Sequence, residues 1–226
     1  MLSVKKSPPN QTPLPQQRTI MKAHFLFPFA TGLTLFTLNS CENPADKTTD
    51  ATIGEAAQAA TVEGGKIYHF TKNSKIEFVG SKVTGKHDGG FKDFEGQFVV
   101  KDGEPQGGNF TIKIDSTWSD NDDLTAKLKT SDFFDAPTYP TSEFIVTNFH
   151  KKGNTSYQVS GNLTLHGETK NITFPTTVET SDNTIKVSAE FDINRKDFGI
   201  VYPGRTGDLI RDEVIIKLSL EAKPSN

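Results

Sequence analysis

From residue 66 onward, apolar and polar residues alternate with a period of two. At 109–115 the even positions hold Phe110, Ile112 and Ile114 between Asn, Thr, Lys and Asp, and the alternation returns at 157–166, 185–194 and 214–222. Such runs turn one face to an interior and the other to water, as half-buried strands do. Less regular strands are predicted at 75–84, 91–100, 142–150 and 169–179. Turn-forming clusters at 101–108, 151–154 and 181–183 separate successive runs and predict antiparallel hairpins. One segment, 120–130, breaks the period. There Leu124 and Leu128 stand four apart behind Asp122 and Asp123, with Lys127 and Lys129 at the end, a short helix charged as its dipole prefers. About eight strands with short turns and one helical insertion predict a closed barrel or a sandwich.

The inward parity is rich in phenylalanine: Phe78, Phe98, Phe110, Phe144 and Phe191 all fall on it, while Gly80, Gly96 and Gly161 stand where side chains are expected. An eight-stranded barrel is near the size at which its interior is either just filled or holds one small ligand. Strand glycines mark bends or leave room. The pattern alone leaves a solid core and a pocket both open. The outward parity carries Lys, Asp, Glu, Thr and Asn, which excludes a membrane-spanning barrel with its lipid-facing apolar band.

The first forty residues have a different character. They hold Lys5, Lys6, Arg18 and Lys22 and no acidic residue, so the remaining chain carries 21 basic against 28 acidic residues. Met21-Lys22-Ala23-His24 opens a short positive region before an apolar stretch at 25–38, too short to span a bilayer and suited to a signal peptide. Leu38-Asn39-Ser40-Cys41 then resembles a bacterial lipobox, which makes Cys41 the lipidation site and explains a single unpaired Cys in an exported chain. Residues 1–20 read as an extension ahead of the true start at Met21, 21–40 as the signal peptide, and 66–223 as the folded domain. Residues 41–65, rich in Ala and Thr with no aromatic residue, read as a flexible linker that holds the domain off the membrane.

Five stretches in order bring a family into view: 85–98 (Gly85-Lys86-His87-Asp88-Gly89-Gly90-Phe91 through Phe98), 107–112, 128–140 with Phe133-Phe134-Asp135 and Tyr139-Pro140, 161–170 with His166-Gly167, and 191–200 with Asn194-Arg195-Lys196-Asp197-Phe198-Gly199. Together they resemble the YceI-like family of exported bacterial proteins. That resemblance implies an all-β, eight-stranded antiparallel lipocalin-like barrel that binds a long-chain isoprenoid or similar lipid in an internal tunnel. The implied ligand is a polyprenyl phosphate or isoprenoid quinone, for transport, storage or stress protection in the cell envelope. Under it the tunnel lining falls to Phe78, Phe98, Phe110, Ile112, Ile114, Phe133, Phe144, Val146, Leu163, Leu165, Phe191, Ile193, Ile216 and Leu218. Lys86, Arg195 and Arg205 are the candidate head-group contacts. The expected partners are the isoprenoid and, through lipidated Cys41, the periplasmic or outer-surface side of a bacterial membrane. A monomer and a dimer both remain open.

Other chemistry finds less support. A pI near 6.0 without a basic cluster argues against nucleic acid. His69, His87, His150 and His166 lack metal-ligand spacing, so neither a metal nor a cofactor is expected. Asp88 beside His87 invites acid–base chemistry, but no nucleophile elbow accompanies it, and the chain reads as a binding protein and not an enzyme. The alternatives are a filled barrel acting as an interaction module and an enzyme acting on such lipids.

Overall fold

The computed structural model describes residues 42–181 and 183–225. A 3-10 turn (Pro44–Lys47) and β1 (Thr52–Glu55) come first. Then follow β2 (Lys66–Phe70), β3 (Lys75–Lys82), β4 (Gly85–Phe91), β5 (Phe94–Lys101), β6 (Glu104–Lys113), β7 (Thr117–Ser119) and the helix α1 (Asp122–Leu128). The rest are β8 (Thr141–Lys151), β9 (Ser156–Leu165), β10 (Glu168–Ser181), β11 (Thr184–Asn194), β12 (Gly204–Arg205) and β13 (Asp208–Pro224). The predicted helix is shorter than 120–130 because Asn121 caps it, its side chain accepting from the Leu124 amide at 2.8 Å.

Two breaks conceal a simple wall. β2 and β3 run along one edge of β13, and β4 and β5 run in turn along β3 and β2. Taken as one stave each, the ring is β2/β3, β4/β5, β6, β8, β9, β10, β11, β13 and back, with every pairing antiparallel. The fold is a closed eight-stranded barrel, which decides against the sandwich. Closure leaves the ring no long open edge.

Phenylalanine and glycine share the interior by turns. Phe78 faces Gly89 across the β3–β4 ladder, Phe110 faces Gly96, and Phe98 faces Gly108. A Cβ on Gly89 would stand 2.5 Å from the Phe78 ring, and one on Gly161 2.2 Å from the Phe144 ring. These glycines are seats for aromatic rings on neighbouring strands, so Gly96 and Gly161 leave no empty space. It also explains how the Gly-rich stretch 85–91, which falls between the predicted strands 75–84 and 91–100, forms a strand. Gly89 lies under Phe78 and Gly90 against Trp118 instead of offering side chains of their own. Gly161→Ala should therefore cost ~1–3 kcal/mol, as overpacking does, read as a drop in thermal midpoint.

The flexible-linker reading of 41–65 is corrected by the structure, since residues 42–65 form a belt around the barrel. Asn43 caps the first turn and donates to Glu213, and Ala45 is buried against Val79 and Ile215 on the outside of β3 and β13. Thr49 and Ala51 bond the backbone of Asp192 in β11, and β1 pairs Thr52 with Thr173 through Glu55 with Lys170 in β10. Asn162 in β9 clasps both backbone groups of Ala57, at 2.9 and 2.6 Å. The Ala60 amide reaches Val146 O in β8, Val62 covers Gly107 in β6, and Gly65 lies over Val99 in β5.

The belt also mends the wall. β11 pairs with β10 only at 177–181 of the latter, so the β10 edge at 170–173 is left bare, and β1 fills it. Ordering here comes from backbone bonds to strand edges and from small buried side chains, which is why an apolar tally missed it.

At the mend, Asp192 is buried and accepts from the Thr48 hydroxyl at 2.6 Å. Burial raises its pKa above the ordinary carboxylate value; the Thr48 bond opposes this, and Asp50 and Glu213 add to it. A raised carboxylate binds its proton more tightly in the folded state. Stability therefore falls as pH rises from about 4, the unfolded value, through the folded pKa. Asp192→Asn keeps an acceptor for Thr48 without the charge. It should raise the thermal midpoint at pH 7 and flatten the pH dependence between pH 4 and 7.

Candidate functional site: a blind apolar cavity

The barrel interior has two unlike halves. Toward the β5–β6 turn it is filled by side chains including Tyr68, Phe98, Val100, Tyr157, Val159 and Leu220. Toward α1 and the loop at 199–210 it encloses a cavity of about 150 Å³.

A shelf of rings divides the two. Phe110 stacks on Phe144 with centroids 5.2 Å apart, Phe144 meets Phe174 at 5.8 Å, and Phe174 stacks on Phe191 at 4.0 Å. Phe144 reaches Phe174 across β9 only because Gly161 lies beneath its ring. All four rings line the cavity, so it is blind at this end.

The other end is closed over by loops. Leu128 at the end of α1 and Phe133 beyond it are buried with Phe78 and Ile200. Phe134 packs edge-on against Phe78 at 6.2 Å, and Phe133 lies on Tyr202 at 5.4 Å. Gly199, at φ 71°, ends the 3-10 turn at Arg195–Phe198 in a left-handed conformation suited to glycine and sends Ile200 inward.

The wall offers water no foothold. Its polar members are the Ser142 hydroxyl, which donates to Thr164 O at 2.7 Å, and the Arg195 guanidinium. Arg195 is 4% exposed, and each of its nitrogens is engaged. Nε donates to Arg211 O, Nη1 to Ile200 O at 2.6 Å, and Nη2 to Asp212, which also pairs with Lys196. Burial lowers the Arg195 pKa and Asp212 opposes the shift. A cavity this apolar stays dry and accepts apolar matter instead.

Of the fourteen residues expected to line a tunnel, eleven lie on this wall: Phe78, Phe110, Ile112, Phe133, Phe144, Leu163, Leu165, Phe191, Ile193, Ile216 and Leu218. Three do not. Phe98 and Val146 have the inward parity but pack in the core away from the cavity, and Ile114 is buried in a 3-10 turn after β6. The wall also takes Ile76, Gly80, Phe174, Ile210 and Val214, among others, none of which is among those fourteen, although the sequence marks Gly80 as a strand glycine and predicts the strands that carry Ile76, Phe174 and Val214.

Of the head-group candidates, Arg195 is occupied as a brace. Lys86 is exposed, off the cavity wall, and 3.8 Å from Asp88. Arg205 is exposed in the β12–β13 hairpin at the loop end. Asp88 does not orient His87; Asp120 does, at 2.8 Å, while also accepting from the Asp88 amide. His166 bonds Phe198 O and packs at a tilt against the Tyr139 ring, 4.8 Å between centroids. Among the described residues no group of three or more His, Cys, Asp or Glu side chains is placed to hold a metal. Cys41 lies outside the described residues.

A closed up-and-down barrel with a dry, blind cavity under a loop lid belongs to the lipocalin-like class. Comparison with known proteins agrees. The YceI-like domain family matches residues 68–222. A UPF0312 protein of Pseudomonas putida is 30% identical over 174 residues, covering 72% of this chain and 88% of that one. Burkholderia cenocepacia BcnA is 26% identical with a TM-score of 0.60, over 66% of this chain and 96% of that one. A polyisoprenoid binding domain from Saccharophagus degradans, 19% identical, has the same fold with a TM-score of 0.59, over 71% of this chain and 99% of that one. The chain belongs to the YceI-like family.

Proposed function

We propose that this protein binds the apolar tail of an isoprenoid or similar amphiphilic lipid, such as a polyprenyl phosphate or isoprenoid quinone, in the blind cavity, as a carrier and not a catalyst. The observation that carries this reading is the cavity itself: closed at the bottom by four rings, apolar, and without an unsatisfied polar group on its wall. The barrel domain from Saccharophagus degradans, of the same fold, binds polyisoprenoid.

The size of the cavity shapes the proposal. A void of ~150 Å³ lined by such residues accepts a benzene-sized group, roughly one isoprene unit. A longer tail enters by displacing the lid, chiefly Leu128, Phe133 and Phe134, and each methylene then buried contributes about 0.8 kcal/mol. The polar head stays at the loop end, where Arg205 is exposed. We place the protein in the bacterial envelope, exported by residues 21–40 and anchored through Cys41.

Heating the delipidated protein with and without added ligand tests the reading. Saturation at ~100 Kd adds ~2.7 kcal/mol, or roughly 5–10 °C for a chain of this size. Midpoints that ignore every isoprenoid quinone and polyprenyl phosphate would leave the filled-barrel interaction module instead. A ligand that is chemically altered on incubation would make the protein an enzyme.

A further inference from the structure

We infer that the loop end of the barrel docks on a lipid bilayer, so that the cavity is loaded directly from the membrane. The inference rests on the cavity holding a lipid tail and adds where that tail comes from.

Four large apolar side chains stand out as exposed among the described residues: Ile67, Val83, Val201 and Leu209. Three belong to the segments that surround the lid. Val83 is in the β3–β4 turn and Leu209 in the β12–β13 hairpin, joined by the Val83 amide donating to Leu209 O. Val201, 64% exposed, stands between Ile200 on the cavity wall and Tyr202 on Phe133. None of the three lines the cavity. With Ile200 and Tyr202 turned inward on either side, Val201 is the residue of this loop that faces out, and it is an apolar one. An apolar rim around the entrance of an apolar cavity gives a tail a path that avoids water.

The rim's charges fit a bilayer reached by insertion rather than by attraction. Lys82 pairs with Asp208 and Lys127 with Asp132, so most basic groups there are already neutralised. Arg205 remains exposed for a phosphate head.

The belt supplies an independent constraint. It begins on the cavity half of the barrel, where Asn43 meets Glu213 and Ala45 meets Val79 and Ile215. Val83 is four residues beyond Val79, just past the end of β3, about 13 Å at the rise of a strand. Cys41 stands two positions before Asn43, a reach of ~7 Å. With the belt bound, a lipid on Cys41 has no long tether and holds this half of the barrel against the bilayer.

The test places a fluorophore at Val201→Cys, Leu209→Cys or Ile67→Cys in the full chain made by an exporting host. Each is reconstituted into phosphatidylethanolamine–phosphatidylglycerol vesicles containing brominated acyl chains, with the parent chain labelled in parallel as the Cys41 blank. Quenching at 201 and 209 with none at 67 is expected. Equal quenching at all three, or none, overturns the inference. A second arm follows transfer of a fluorescent isoprenoid. The Val201→Asp/Leu209→Asp variant should load at least tenfold more slowly from vesicles and at the parent rate from detergent. Undiminished loading from vesicles also overturns it. A parent that loads from neither source contradicts the cavity reading instead, and the quenching comparison still decides the docking.

Discussion

Gly80→Leu is expected to weaken lipid binding by about two orders of magnitude while leaving the fold intact. Gly80 lies on the cavity wall, and a Cβ built there meets no atom within 4 Å. It is the glycine that does leave room, in contrast to Gly89, Gly96 and Gly161 under their rings. Leucine adds four carbons to a space of about 150 Å³ and displaces a comparable length of ligand. At ~0.8 kcal/mol per methylene the loss is ~3 kcal/mol, a factor of about 200 in Kd. Filling a void should not cost stability, so an unchanged or higher thermal midpoint with weakened binding is the expected pair of results. Binding at the parent affinity would show that the ligand lies elsewhere.

Arg195→Ala is expected to be the most destabilising single change at the site. The guanidinium is almost fully buried and ties Ile200 O, Arg211 O and Asp212 together. Its removal strands these acceptors in a largely closed environment. Breaking a buried, hydrogen-bonded charge pair costs ~3–5 kcal/mol, on the order of 10 °C in thermal midpoint. Because Ile200 forms part of the lid, the loop over the cavity should loosen as well, giving faster amide exchange at 199–210. Arg195→Lys supplies one charge but not the planar fork, and should recover only part of the loss. If Arg195 were instead a head-group ligand, alanine would reduce binding and leave the thermal midpoint of the empty protein unchanged.

The strands were legible because water on one side of a wall forces alternation, and that parity correctly identified the inward face of β6, β9, β11 and β13. Parity gives a face but not a height along the barrel axis. Phe98 and Val146 point inward as expected, yet sit in the filled half. Ile200 and Ile210 reach the cavity from a loop and a hairpin, which no period marks. The strand Gly85–Phe91 was hidden because a glycine beneath an aromatic ring looks, in one dimension, like a loop. The belt was hidden for a different reason. Its order depends on Asn43, Thr48 and Asn162 bonding to distant backbone or carboxylate partners, so it cannot be found from the composition of 42–65. In retrospect, Asn43-Pro44 offered a local sign, as a cap followed by proline in the first turn.

Native mass spectrometry with lipid extraction, on protein purified from an exporting bacterial host, tests the central claim most directly. The account predicts a stoichiometric extra mass that extracts as an isoprenoid or comparable amphiphile, and that is absent from the Gly80→Leu protein prepared in parallel. A bare parent protein that also takes up no added quinone or polyprenyl phosphate would contradict it.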